Sequence, residues 1–221
     1  MKQYWTAPEM WPESTFVIVA GGPSVTPAQV DCCCNRQDRG SLVRVIAVND
    51  AYRIAPWADV LYFCDDKWWQ WHAKKLADWR GLIVRLAGGQ HDFGDARIKV
   101  LKNMDKAGLC PFRDGLHNGS NSGYQAINLA VHLGAKRILL LGFDMQAPLV
   151  NGRPKTHWFG DHPGGTSPSV YSQMLPWFDS LVAPLAKRGV EVINCTPGSA
   201  IKVFPRAGIE EAFVESQRAA A

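Results

Sequence analysis

The chain predicts a single α/β domain built on a mostly parallel central sheet with helices on both faces. Three observations carry that expectation: apolar runs of strand length recur along the chain, they are continuous rather than alternating, and segments of helical character separate them. A strand covered on both faces buries every side chain and reads as an unbroken Val, Ile and Leu run, whereas a half-exposed strand alternates. Strands that alternate with helices are joined by crossovers and so run parallel.

Phe16 to Ala20 is the first apolar run, followed by Gly21-Gly22-Pro23-Ser24 and a helix over 26–34. Val43 to Val48 is the second and ends at Asn49-Asp50; Val60 to Cys64 is the third and ends at Asp65-Asp66, where a helix over 66–78 begins. Leu82 to Leu86 follows. The segment from 87 to 120 is less regular, with Gly88-Gly89, His91-Asp92, Gly94 and a loop from Pro111 to Ser120. The helix over 122–133 is the best specified. Asn121 or Ser122 supplies its cap, Ile127, Ala130 and Val131 share one face, and Gly134 stops it before the strand from Arg137 to Leu141. A helix over 168–187, a last strand from Val190 to Asn194 and a short terminal helix rich in Glu and Ala complete the order. Between them, 146–167 is rich in Gly and Pro and carries His157 and His162, so it reads as a lid loop.

At 221 residues, 47% hydrophobic and 20% charged, the chain suits one domain over 1–221 with a full core. Its 24 Lys and Arg against 20 Asp and Glu are spread evenly. That balance is too mild for nucleic-acid binding and suits anionic small molecules. No apolar stretch approaches the ~20 residues that span a bilayer. The six cysteines, three of them at Cys32-Cys33-Cys34, form no disulfide framework or CxxC pair, and no signal-peptide pattern precedes them. The expected setting is therefore a reducing cytoplasm, with the thiols as small buried hydrophobes. The oligomeric state is open, a homo-oligomer included.

Two junctions carry the chemistry. A helix start has N–H groups without intrahelical partners and a partial positive charge, which favours phosphate or carboxylate. Gly21 and Gly22 would let a ligand approach the main chain, Pro23 stiffens the turn and Ser24 offers a hydroxyl; the same turn also serves as an ordinary strand exit. Asn121-Ser122-Gly123-Tyr124 opens the second junction, and Gly142-Phe143-Asp144 closes the strand after it. In open parallel sheets ligands bind at the carboxyl ends of the strands, where Gly21 to Ser24, Asn49-Asp50, Asp65-Asp66 and Gly142 to Asp144 all fall. The expected domain is therefore Rossmann-like and nucleotide-binding.

Other constellations admit two readings. Trp68, Trp69 and Trp71, among nine tryptophans, suit a stacking platform, an interaction surface or a helix edge packed on the sheet. Asp65 and Asp66 suit magnesium on nucleotide phosphates or a carboxylate pair at a helix N-terminus. His157, Asp161 and His162 lack a metal-site spacing, and Gly-X-Ser-X-Gly is absent, which disfavours zinc and a serine hydrolase. His117 and His91 are candidates for substrate contact, whereas His132 reads as a packed or surface residue.

Read in order, Ala20-Gly21-Gly22-Pro23-Ser24, Val48-Asn49, Asn121-Ser122-Gly123-Tyr124, Ala135 to Asp144, His157-Trp158-Phe159-Gly160-Asp161-His162 and Cys195-Thr196-Pro197-Gly198-Ser199 resemble the bacterial sialyltransferases of glycosyltransferase family 42. They also resemble related Rossmann-like proteins of unknown function, including 6-hydroxymethylpterin pyrophosphokinases. The resemblance implies a nucleotide-sugar donor, CMP-sugar-like, and a hydroxyl acceptor, without a metal. It places Gly21, Gly22 and Ser24 on phosphate and ribose, Asn49 on the nucleotide, and Ser122 and Gly123 on phosphate or carboxylate. Gly142, Phe143 and Asp144 would shape the base and ribose pocket, and His157 would be the general base. An imidazole of ordinary pKa near 6.5 suits that task. The chain departs from the family in having no tyrosine between Asp144 and His157. The pyrophosphokinase resemblance implies instead a magnesium-dependent transfer from ATP, with Asp65, Asp66 and His162 as candidates for substrate or metal contact. A third alternative is a noncatalytic protein that kept the nucleotide fold and uses its tryptophans for a partner.

Overall fold

The computed structural model describes residues 3–37, 42–89, 93–163, 165, 168 and 170–219. His91, Asp92, Gly164 and Ser167, part of the expected loops, lie outside the described residues. The element order is β1 (Ser14–Val19), α1 (Pro27–Gln37), β2 (Val43–Val48), β3 (Val60–Phe63), α2 (Asp66–His72), β4 (Leu82–Leu86), β5 (Ile98–Met104), β6 (Gly115–His117), α3 (Ser122–Leu133) and β7 (Ala135–Leu141). A small hairpin of β8 (Leu149–Val150) and β9 (Arg153–Pro154) follows, then α4 (Val170–Met174), α5 (Asp179–Lys187), β10 (Glu191–Asn194) and α6 (Ile209–Ala219). Eight strands form one sheet in the order β10-β7-β1-β2-β3-β4-β5-β6, and every pairing within it is parallel. The architecture is a Rossmann-like single α/β domain.

The continuous apolar strands still obey a period of two, because successive side chains point to opposite faces. Phe16, Ile18, Ile46, Val48, Ile138 and Leu140 enter one core layer with α3 and α5. Val17, Val19, Val45, Ala47, Leu139 and Leu141 enter the other with α1, α2 and α6. Both faces are therefore covered.

The helix α3 has the expected limits. The Asn121 side chain accepts from Tyr124 N at 3.0 Å, so Asn121 rather than Ser122 is the cap, and Gly134 closes the helix at φ 106°. Its polar residues are buried and partnered. Gln125 accepts from the Tyr62 hydroxyl, Asn128 accepts from Cys110 N, and His132 Nε2 meets Gly115 O at 3.0 Å. Burial holds the His132 pKa down to about 4. These bonds tie the segment before α3 to the sheet edge.

That segment holds a correction: 87–120 contains β5 and β6, two further parallel strands. Ile98–Met104 mixes apolar residues with Lys99, Lys102 and Asn103 and is partly exposed, as suits a strand near the end of the sheet. The helix over 66–78 is shorter than expected, ending at His72 and continuing as a 3-10 turn over Ala73–Leu76. That over 168–187 is broken by a 3-10 turn at Leu175–Phe178, which contains Pro176. Among the described residues no helix is long and apolar enough to cross a membrane.

Candidate functional site

Strand β1 has β2 on one side and β7 on the other, so the chain's winding reverses between β1 and β7. Such a switch point opens a crevice at the carboxyl ends of the strands. A cavity of about 380 Å³ lies there, within the usual range of small-molecule sites. The structure brings nearly all the expected residues to it. Gly21, Gly22, Asn49, Asp65, Ser122, Gly123, Gly142, Phe143, Asp144, His157 and His162 line it; Ser24 and Asp66 do not.

Ser24 is occupied within the protein. Its main-chain N–H donates to Asp144 Oδ1 at 3.1 Å and its hydroxyl to Asp144 Oδ2 at 2.9 Å. Burial raises the Asp144 pKa and these two bonds oppose the rise. Gly22 makes room for that carboxylate: a Cβ there would lie 2.0 Å from Asp144 Oδ2 and 2.4 Å from Gly142 O. Ser24 thus belongs to a clamp across the β1 and β7 turns rather than to the ligand face. Gly142 sits at φ 73°, a backbone region that glycine enters without steric cost. The segment after β10 holds the same turn, for Thr196 Oγ1 accepts from Phe143 N and Ser199 Oγ donates to Phe143 O.

The start of α3 forms the floor. Its first N–H groups have no intrahelical partners, which leaves the end electropositive. Ser122 Oγ lies 3.1 Å from Cys64 Sγ, and burial raises the pKa of that thiol. Across the cavity, Asn49 has φ 51° and its enclosed Oδ1 has no hydrogen-bond partner.

The described part of the loop, 146–163, folds over the opening. Trp158 N donates to Gly21 O at 3.1 Å, and Thr156 Oγ1 donates to Asp161 at 3.0 Å. The His157 ring stacks on Phe159 with centroids 4.8 Å apart and meets His162 edge-on at 4.9 Å. It leans on Gly21, where a Cβ would fall 3.0 Å from its Cδ2. Its Nδ1 is enclosed with no hydrogen-bond partner. Burial, then the charge of His162, pulls the His157 pKa down to about 4, against the pull of Asp50 and Asp161. At neutral pH the ring is therefore uncharged and able to accept a proton.

Sequence reading passed over Tyr171, which lines the cavity and donates its hydroxyl to Thr156 O at 3.0 Å. Burial raises its pKa to about 12, so it remains a donor. No local pattern marks it, because it arrives from α4, after the loop has folded back. It supplies a phenol where none stands between Asp144 and His157.

Asp65 caps α2 by accepting from Lys67 N at 3.1 Å, and Asp66 pairs with buried Arg85 at 2.7 Å. Only Asp65 reaches the cavity, and no group of three or more His, Cys, Asp or Glu among the described residues could hold a metal ion. Trp68 and Trp69 are 2% and 4% exposed, Trp69 stacking on Phe63 at 4.9 Å and Trp68 on His72 at 4.6 Å. They are core, which removes them as a stacking platform or partner surface. His117 is likewise buried, with Nδ1 3.2 Å from Gly108 O, and does not line this cavity.

The fold and the cavity define a Rossmann-like domain with a partly open cavity, lined by both polar and apolar residues, at its topological switch point. The chain matches no protein-family model and no curated protein at a significant level.

Proposed function

We propose that the protein is a nucleotide-dependent group transferase, a glycosyltransferase resembling the sialyltransferases, that uses a nucleotide-sugar donor and His157 as general base. The observation that carries the reading is the convergence of Gly21, Asn49, the α3 start and neutral His157 on one cavity. A hydroxyl acceptor is a weak nucleophile, and an uncharged imidazole can take its proton as the new bond forms, although the burial that lowers the His157 pKa also makes the ring a weaker base than an ordinary imidazole. The leaving phosphate would meet the first N–H groups of α3 and the Ser122 hydroxyl, donors in place before reaction, and the Tyr171 hydroxyl would join them by turning its hydrogen from Thr156 O. Among the described residues no Lys or Arg lines the cavity. Neutral donors and a helix end therefore supply the anion site.

The same lack of a cationic side chain favours one second reading, a magnesium-dependent pyrophosphokinase. A triphosphate would need its charge met by a cation there, and Asp65 is the cavity carboxylate not clamped to Ser24. A thermal-shift series with CMP, UDP, GDP and ATP species, each with magnesium or EDTA, separates the two. At a hundred times its dissociation constant a ligand stabilises by about 2.7 kcal/mol. For the transferase we expect a shift from a CMP-type ligand that persists in EDTA, and an H157A variant that binds but does not turn over. A shift only with ATP and magnesium selects the second reading, and full turnover by H157A removes the base.

A further inference from the structure

Asp50, one residue beyond Asn49, is a carboxylate only 3% exposed beside the loop that carries His157. Its Oδ2 accepts from Trp68 Nε1 at 2.8 Å, and two imidazole nitrogens approach the same oxygen, His72 Nε2 at 3.7 Å and His162 Nδ1 at 3.9 Å. Its Oδ1 accepts from Arg53 Nη1 at 3.3 Å, but the Arg53 side chain is 47% exposed and screened by water. His72 is fixed on its other side by the Tyr52 hydroxyl at 2.9 Å and is held below its ordinary pKa by burial. His162 is the more open imidazole, 24% exposed, and its ring is the one in contact with His157. A buried carboxylate is costly unless charge or hydrogen bonds compensate it. Here one side of it is turned toward a histidine pair at the cavity.

We propose that Asp50 and His162 are positioning residues for His157: His162 sets the ring's orientation and Asp50 supplies the negative charge that faces the proton when the pair acquires one. This rests on the transferase reading for its use but not for its test. In the transfer step the acceptor O–H bond breaks and its proton passes to the His157 imidazole. The electron pair of that bond forms the new bond to the transferred group, and the bond to the donor phosphate breaks with its electrons leaving on the phosphate. The resulting imidazolium is surrounded by little solvent. Two imidazoles in edge contact cannot both carry charge cheaply, so the pair takes one proton, and Asp50 is the nearest enclosed counter-charge. The titratable groups that act on the pair are Asp50 from the turn after β2, His72 from α2 and Asp161 from the same loop; Arg53 and Lys75 act on His72, and Asp144 acts on Tyr171, which lines the same cavity.

The test is an NMR titration of the histidine rings in the ligand-free protein, with His162→Gln and Asp50→Asn. Removing the neighbouring positive charge in H162Q should raise the His157 midpoint by about one pH unit. Removing the counter-charge in D50N should keep the ring neutral to lower pH than in the parent. H162Q decides the part of His162 alone; should D50N fail to fold, Asp50→Glu decides that of Asp50, since a carboxylate displaced by one methylene should shift the His157 midpoint if its charge faces the pair, and an unmoved midpoint overturns that part. An unmoved His157 midpoint in H162Q, or shifts of the same sign in both variants, overturns the proposal. With a donor in hand, the acid limb of kcat/KM should move in the same directions as the midpoint. Absence of turnover with every donor would end the transferase reading and leave the titration to judge the histidine pair.

Discussion

On the wall of the cavity built from β1 and β7, Asp144 receives both donors of Ser24, and Thr196 and Ser199 satisfy the main chain of Phe143. On the wall built from the turn after β2 and the covering loop, Asn49 Oδ1 and His157 Nδ1 are enclosed without partners. An unmatched buried polar atom costs about 1–3 kcal/mol, and folded proteins rarely keep one without use. The first wall is scaffold, matched within the protein. The second is the wall on which a ligand gains by supplying what is missing.

The hardest blow to that distinction falls on the scaffold. Gly22→Ala puts a methyl group into the Asp144 carboxylate and the Gly142 carbonyl, two groups held by other bonds. The expected loss is about 4 kcal/mol, at the far end of single-substitution effects. Urea unfolding measures it. A loss under about 1 kcal/mol would show that the turn gives way easily and is no scaffold.

Acid offers the next separation. His132 and His157 both have folded pKa values of about 4, below the ordinary 6.5. The unfolded chain therefore binds more protons between these values. Stability is complete above about pH 6.5, falls as pH drops, and levels off near 4. For fully buried His132 the displacement corresponds to about 3 kcal/mol. Unfolding free energies at pH 7 and 5 should show the fall, His132→Gln should remove most of it, and His157→Gln a smaller part. A saturating nucleotide, whose negative charge favours the protonated ring, should shrink the part that belongs to His157 and leave that of His132 alone, since of the two only His157 lines the cavity.

Legibility in the sequence follows the same division. Continuous apolar runs and the Asn121 and Gly134 signals of α3 are local, and the structure reproduces them. Strand β5 was hidden because Lys99, Lys102 and Asn103 interrupt its apolar run, and β6 because it is only three residues long with a single aliphatic side chain. In the site, glycine and polar residues at strand ends were found through the rule for parallel sheets. Ser24 and Asp144 were both picked out but assigned to a ligand, because a bond between residues 120 positions apart has no local trace. Tyr171 reaches the cavity through tertiary packing alone and no spacing marks it, whereas Asp50 was marked by its place after β2 but its two imidazole neighbours were not.

The gentlest change probes the second wall directly. Asn49 sits at φ 51°, a region that glycine enters freely, so Asn49→Gly removes the amide without straining the turn. Losing an enclosed, unmatched oxygen should offset the extra freedom of glycine in the unfolded chain, and stability should stay within about 0.5 kcal/mol. Affinity should fall about tenfold for whichever nucleotide the thermal-shift series selects, the value of one hydrogen bond near 1.4 kcal/mol. Calorimetric titration beside urea unfolding reads both numbers. A variant that binds as tightly as the parent but unfolds at much lower urea would place Asn49 with the scaffold, and the ligand's missing partner would then have to be sought on His157 alone.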